Sequence, residues 1–289
     1  MHGLLVLDKP PDVTSHRALA PVKASLPRGT KVGHAGTLDS FATGVLLVMI
    51  GDGTRLFDAL GTLPKEYEAT VLFGEETDTL DPDGEVVRVS DPGADAPADL
   101  AVSLTGLTGE VDQVPPSFSA LKVNGRRASD RVRDGETPDL AARRVTIYDA
   151  EVLGTDWPRA RILIRCSSGT YVRSIARDLG AALGLPARLD ALRRTAIGPF
   201  RPPPDELSLP DGLISLYDAI QATAVPLVPL ERDRIVDFGH GRPIPVDRPD
   251  AGLVGVVSDA RKTVLGLARV EAGVLRPSRV FADGRPDVG

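Results

Sequence analysis

The chain has 289 residues, 42% of them hydrophobic, and a formal net charge of −6. That length can bury a large core but is long for a single domain, so one large domain and one small one are expected. A single cysteine, Cys166, excludes an internal disulfide and suits a reducing compartment. No apolar run approaches a membrane span, and residues 4–7 are too short for a signal-peptide core, so a cytoplasmic protein is expected.

A negative total argues against a nucleic-acid partner, but the distribution of charge weakens that argument. Residues 75–99 hold nine acids (Glu75, Glu76, Asp78, Asp81, Asp83, Glu85, Asp91, Asp95 and Asp99) and one base, Arg88. That stretch carries −8 and leaves +2 for the rest of the chain. The expectation is an acidic surface on one side and a basic footprint elsewhere.

In chain order, residues 3–7 read as a short strand that Pro10 and Pro11 end. Thr14 or Ser15 can cap a helix running to about residue 26, kinked or interrupted by Pro21. Lys9 reads as half of a structural ion pair, with a reach to a phosphate or to the active-site loop as the alternative. Residues 33–44 contain three glycines and read as a tight irregular loop, followed by a buried apolar strand over 45–50. Asp39 lies on that loop, a good place for a reactive carboxylate; an Asx-turn is the ordinary alternative.

Residues 54–60 read as a short helix and 65–73 as a strand with Tyr67, Ala69, Val71 and Phe73 on one face. Core packing is the ordinary role for Tyr67. A surface loop over 92–97 and a short helix over 99–107 follow. Lys122, Arg126, Arg127, Arg131, Arg133, Arg143 and Arg144 then crowd together against four acids, either as a solvated face or as phosphate contacts.

Residues 160–166 alternate as a strand, and the polar turn 167–170 can cap a helix over 171–183. In it Val172, Ile175, Ala176 and Leu179 face the core. Tyr171 and Arg173 fall in its first turn, where a cation opposes the macrodipole, so Arg173 is expected to have a specific anionic partner. Leu192 reads as core. Residues 201–210 form a Pro-rich linker, 213–223 close the first domain, and short strands over 254–257, 264–270 and 279–281 suggest a small β-rich module. Four histidines and one cysteine show no metal-ligand spacing, and no phosphate-binding loop or dinucleotide fingerprint is present.

The loop reads His34-x-Gly36-Thr37-Leu38-Asp39-x-x-Ala42-Thr43-Gly44 and runs into an apolar strand. This wording resembles the signature of the tRNA pseudouridine synthase B (TruB) family. Residues 3–15, 65–84, 114–125, 166–180 and 192–195 also resemble family blocks, in family order. The resemblance implies an α+β fold: a catalytic domain over 1–223, with a mixed, mostly antiparallel sheet flanked by helices. An RNA-clamping insertion would lie at about 115–145, and a small β-rich PUA-like RNA-binding domain over 224–289.

The implied activity is isomerisation of uridine-55 to pseudouridine in the T loop of tRNA, by base flipping. Asp39 would act at the ribose. His34 would fill the space the base leaves, Tyr67 would stack on the uracil, and Tyr171 would help hold it. Arg173 would keep Asp39 ionised and aimed, and Leu192 would pack beside the nucleotide. Lys122, Arg126, Arg127, Arg143 and Arg144 would contact the RNA backbone. The resemblance implies no cofactor, no metal, no membrane, no obligatory protein partner, and a monomer bound to the T stem-loop of tRNA.

Two departures stand out. Asp12 stands where the family usually has Gly, so a different turn is expected there. Ala128-Ser129-Asp130 stands where a Tyr is common, so stacking from this arm is in doubt. Three alternatives stay open: the same chemistry on another RNA, a non-catalytic tRNA-binding or folding factor, and a nucleoside or glycoside hydrolase. The last usually shows a second carboxylate or a metal site, and the sequence shows neither.

Overall fold

Every residue from 45 to 50 is at most 2% exposed, which requires cover on both faces of the strand they form. Leu46, Val48 and Ile50 pack with Leu5, Leu19 and Val22 on one side. Val45, Leu47 and Met49 pack with Leu4, Leu56 and Leu60 on the other. The period of two along the strand thus feeds two separate clusters.

The computed structural model describes residues 1–289 except 120, 124, 137–138, 204–208, 210, 259, 261 and 282–289, and leaves out the side chains of residues 122, 123 and 127. The first half contains β1 (Gly3–Lys9), α1 (Ala20–Ala24), β2 (Val32–Ala35), β3 (Thr43–Ile50), α2 (Phe57–Gly61), β4 (Lys65–Phe73), β5 (Glu75–Thr77) and β6 (Val86–Val89). Next come α3 (Leu100–Thr105), β7 (Gly109–Gln113), β8 (Lys122–Val123), β9 (Arg126–Arg127), α4 (Ala128–Arg133), β10 (Arg143–Asp156), β11 (Arg159–Cys166), α5 (Val172–Ala182) and β12 (Ala187–Ile197). The chain continues with α6 (Leu216–Gln221), β13 (Leu227–Pro229), α7 (Arg232–Gly239), β14 (Ile244–Pro245), β15 (Ala251–Ser258), β16 (Thr263–Glu271) and β17 (Val274–Val280).

The larger sheet runs β1-β3-β12-β4-β11-β10-β7, with β2 also paired to β3. Its pairs are antiparallel except β3 with β12, which meet at Thr43–Arg193 and Gly44–Arg194. The start of β3, where the glycine loop enters, is therefore held by β12. Against this sheet α5 lays Val172, Ile175, Ala176 and Leu179, packed with Tyr67, Ala69, Val71 and Phe73 of β4. The smaller sheet runs β13-β15-β16-β17-β14. Its Val257, Val264 and Leu267, with Phe281, share a cluster with Leu4, Leu56 and Ile220. Arg55 Nη1 donates to Val280 O at 2.8 Å across the same junction. The architecture is α+β: a mixed, mostly antiparallel sheet flanked by helices, and a smaller β-rich part.

Several local expectations are corrected. The helix expected to run to residue 26 is a 3-10 turn, Arg17–Leu19, and the five-residue α1. Pro21 sits in the first turn of α1, where its missing N–H leaves no gap. Thr14 Oγ1 accepts from Arg17 N, while Ser15 is buried. Asp12 adopts φ 57°, so the turn keeps the left-handed conformation that suits Gly, which Asp tolerates. Gly33 and His34 belong to β2, not to an irregular loop.

The stretch at 54–60 is split between a 3-10 turn, Gly51–Leu56, and α2. Tyr171 caps α5 without a side-chain bond; instead its N–H donates to Gln113 Oε1 at 2.8 Å. The C-terminal part contains α7 as well as strands; with only Phe238 fully buried, its helical period is faint in the sequence. Most of the Pro-rich stretch at 201–210 lies outside the described residues.

Candidate active site

The loop between β2 and β3 turns at Gly36, φ 79°, and presents Asp39 with its side chain 37% exposed. Its neighbours Leu38 and Ala42 are buried and share a cluster with Tyr67 and Leu192. This anchors the loop to the sheet on both sides of the carboxylate.

Arg173, in the first turn of α5, is almost wholly buried and reaches Asp39. Its Nη2 donates to Asp39 Oδ1 at 3.2 Å. Its Nε lies 2.9 Å from Oδ2, off the line of a hydrogen bond. The same guanidinium donates to Thr79 O at 2.8 Å and Phe118 O at 3.0 Å. The expected anionic partner of Arg173 is therefore present.

A second carboxylate, Asp81, completes the group, with Oδ2 3.4 Å from Arg173 Nη1. Its Oδ1 accepts from Thr79 Oγ1 at 2.5 Å and from Asp83 N at 3.1 Å. Burial pushes the Asp81 carboxyl above its ordinary range, opposed by the Thr79 bond and by Arg173. Asp83 Oδ2 in turn accepts from Ser40 Oγ at 3.1 Å. The acidic segment was expected on the surface; its Asp81 instead turns inward and joins the site. Thr77 and Thr79 carry the local signal that could have marked it: both hydroxyls bond Asp81, in a compact turn.

Tyr67 on β4 is buried, and that burial raises its phenol, which stays neutral. Tyr171 is part-buried with its phenol raised for the same reason. The Asp39 charge acts on both rings. His34 on β2 has its pKa lowered by burial and then by the charges of His16, Arg194 and Lys23, which favours the neutral imidazole. Its Nδ1 is buried without a hydrogen-bond partner among the described residues. Leu192 is buried beside Tyr67 and Leu38, and with Phe41 and Ala69 it lines an open cavity of about 380 Å³. Asp39 does not line that cavity.

Three buried groups hold the loop itself, and sequence reasoning gave this role only to Lys9, as an alternative. Lys9 is wholly buried and makes no ion pair among the described residues; it donates to the carbonyls of Pro10, Val13 and, in the active-site loop, Ser40. Ser15 Oγ bonds both the N–H and the C=O of Leu38. Arg194, 1% exposed, donates to the carbonyls of Val45, Gly36 and Thr37. A period of two from Leu192 already places Arg194 on a buried face, a signal available in the sequence.

The expected RNA-backbone residues are not alike. Arg126 pairs with Asp134 and Glu136, and Arg144 with Asp112 and Glu110. Arg143 is exposed, has no ion pair among the described residues, and its charge acts on Tyr171. The side chains of Lys122 and Arg127 lie outside the described residues. Among the described residues no group of His, Cys, Asp and Glu could hold a metal ion, and no helix is long and apolar enough to cross a membrane.

This arrangement, a mixed sheet that presents an Arg-held carboxylate beside a buried Tyr and Leu, can be set beside known proteins. Residues 23–172 match the TruB family pseudouridylate synthase N-terminal domain, and residues 226–281 match the C-terminal domain of pseudouridine synthase II TruB. A tRNA pseudouridine synthase B of Thermobifida fusca (strain YX) is 39% identical, covering 97% of this chain and 98% of the relative. One of Arthrobacter sp. (strain FB24) is 37% identical, covering 100% of this chain and 99% of the relative. Among solved structures, a Cbf5-Nop10-Gar1 complex aligns with TM-score 0.67 and 26% identity, over 96% of this chain and 84% of that one. An H/ACA RNP bound to a substrate RNA containing 2'-deoxyuridine aligns with TM-score 0.71 and 22% identity, over 99% and 88%, a likeness of fold. The chain belongs to the TruB family of pseudouridylate synthases.

Proposed function

We propose that this chain isomerises uridine-55 in the T loop of tRNA to pseudouridine. The observation that carries the reading is the Arg173–Asp39 pair beside Tyr67 and Leu192. The tRNA substrate is supported by relatives that bear the name tRNA pseudouridine synthase B and align along nearly the whole chain.

The target base must leave its stack before its glycosidic bond can be reached. His34, neutral, fills the space left behind. Tyr67 stacks on the flipped uracil, Tyr171 helps hold it, and Leu192 packs beside the nucleotide. Asp39 acts at the ribose, as carboxylates do in glycosidic chemistry. Arg173 holds the carboxylate aimed. The glycosidic C–N bond breaks, the uracil turns, C5 joins C1′, and the C5 proton leaves to solvent while N1 gains one. Substrate and product are isomers, so no group donor or oxidant enters.

Asp81 does not favour the hydrolase reading. A glycosidase needs its second carboxylate facing the sugar, whereas both oxygens of Asp81 are engaged by Thr79, Asp83 and Arg173. The reading extends to residues 224–289 as a PUA-like RNA-binding domain, supported by the separate sheet that starts at Leu227. It also extends to about 115–145 as an RNA clamp, supported by the exposed Arg143, which has no ion pair among the described residues and whose charge acts on Tyr171. Incubation of the full chain with unmodified tRNA transcript, followed by pseudouridine mapping, tests the proposal. Product at position 55 is expected; product only elsewhere overturns the position, and no product overturns the activity.

A further inference from the structure

Five backbone carbonyls between residues 36 and 45 are each bound by a buried side chain. Arg194 takes Gly36 O at 2.9 Å, Thr37 O at 3.5 Å and Val45 O at 2.8 Å. Ser15 Oγ donates to Leu38 O at 2.9 Å and accepts from Leu38 N at 2.8 Å. Lys9 Nζ donates to Ser40 O at 3.0 Å. Asp39 lies between the last two anchors, so the peptides on either side of it are fixed. The backbone of Arg194 adds a clamp: at Gly44, φ 103°, a Cβ would come within 2.2 Å of Arg194 O.

Arg194 and Lys9 have no carboxylate partner among the described residues; Lys9 is held by three carbonyls, and Arg194 by three carbonyls and a side-chain hydrogen bond with Tyr67. Burying a cation in this way is costly, and an apolar side chain would fill such space at lower cost. What the cation adds is direction, since it aligns several carbonyls at once. A reacting carboxylate needs this, because misplacement by about 1 Å can cost roughly a hundredfold in rate.

We infer that Ser15 and Arg194 are positioning residues for the reaction at Asp39, fixing the loop backbone so that the carboxylate is aimed before RNA arrives. The inference rests on the assignment of Asp39 to the chemistry. Neither residue touches the Asp39 carboxylate; both act through main-chain atoms of its loop.

The test uses full-chain Ser15→Ala, Arg194→Lys and Arg194→Met. Single-turnover pseudouridine formation on saturating unmodified tRNA transcript is measured beside equilibrium binding and thermal melting. Val22→Ala, in a buried cluster that holds no residue of 36–45, serves as a destabilised control. Ser15→Ala is expected to slow the single turnover by about 10- to 100-fold with binding within about twofold of wild type. Arg194→Met is expected to lose about 100-fold or more, and Arg194→Lys to recover part of that loss. Val22→Ala is expected to melt earlier yet react at the wild-type rate.

A folded Ser15→Ala that reacts at the wild-type rate overturns the inference. Should Arg194→Met fail to fold, Ser15→Ala and Arg194→Lys still decide it. Asp39→Asn is run in parallel to separate the two claims. If it is inactive while Ser15→Ala is normal, only the positioning inference falls; if it is active, both fall.

Discussion

Arg173 and Asp39 stand 134 residues apart in the chain, yet Arg173 Nη2 donates to Asp39 Oδ1 at 3.2 Å. The rest of the guanidinium is held by Thr79 O, Phe118 O and Asp81, so Arg173 cannot swing away from the carboxylate without breaking other contacts. A cation in the first turn of α5 opposes the helix dipole, and two carboxylates offset that cost.

Arg173→Lys is expected to be severely impaired, although the charge is kept. An ammonium cannot match the planar fork that serves two carboxylates and two carbonyls together. A loss of about 100-fold in single-turnover rate is expected, the scale of removing one preorganised donor from a site. Single-turnover assays with binding measured separately check it; wild-type turnover would show that the pair is not geometrically demanding.

Lys65 gives a pH dependence of stability. It is buried at the start of β4, and burial, then the Arg194 charge, lowers its pKa from 10.5 to about 8. Between those values the unfolded chain binds more protons than the folded one, so stability rises with pH across that window. The penalty is present in full below about 8 and gone above 10.5. Relative to Lys65→Met, wild type should gain up to about 3 kcal/mol from the lower to the upper end of this window. Denaturant melts of both proteins across that window check it, and parallel curves would contradict it.

Arg126, Arg131 and Arg133 are paired with acids of the basic insertion itself, and this sharpens what it should do. Arg126 is engaged by Asp134 and Glu136, so binding a phosphate requires it to leave them. Asp134→Asn combined with Glu136→Gln should tighten tRNA binding and steepen its log–log salt dependence by about one unit for each additional phosphate neutralised. Titrations at several salt concentrations measure this. An unchanged slope would make Arg126 a solvated residue and shift the footprint towards Arg143 and the smaller sheet.

The strands β3, β4 and β11 are legible in the sequence because local periodicity and burial agree along them. Asp39 is legible from its loop, and Arg173 from its conflict with the helix dipole. Asp81 is not, because eight other acids surround it in sequence, Thr77 and Thr79 mark it only locally, and its partner Arg173 is distant. Lys9 is left open in the sequence between an ion pair and a reach to the active-site loop for a related reason: its partners are carbonyls, and no residue type announces a carbonyl. The turn at Asp12 escapes because a backbone angle, not a residue type, defines it. Elements held by local rules are thus readable, while groups defined by contacts across the fold are not.

Asp39→Asn is the most direct measurement of the central claim. Asn keeps the shape and most of the hydrogen bonding of Asp but loses its negative charge. On unmodified tRNA transcript, with enzyme in excess, wild type should form pseudouridine in a single turnover. Asp39→Asn should bind the same tRNA yet form no detectable product. A normal single-turnover rate in the Asn variant would contradict the assignment of Asp39 to the chemistry.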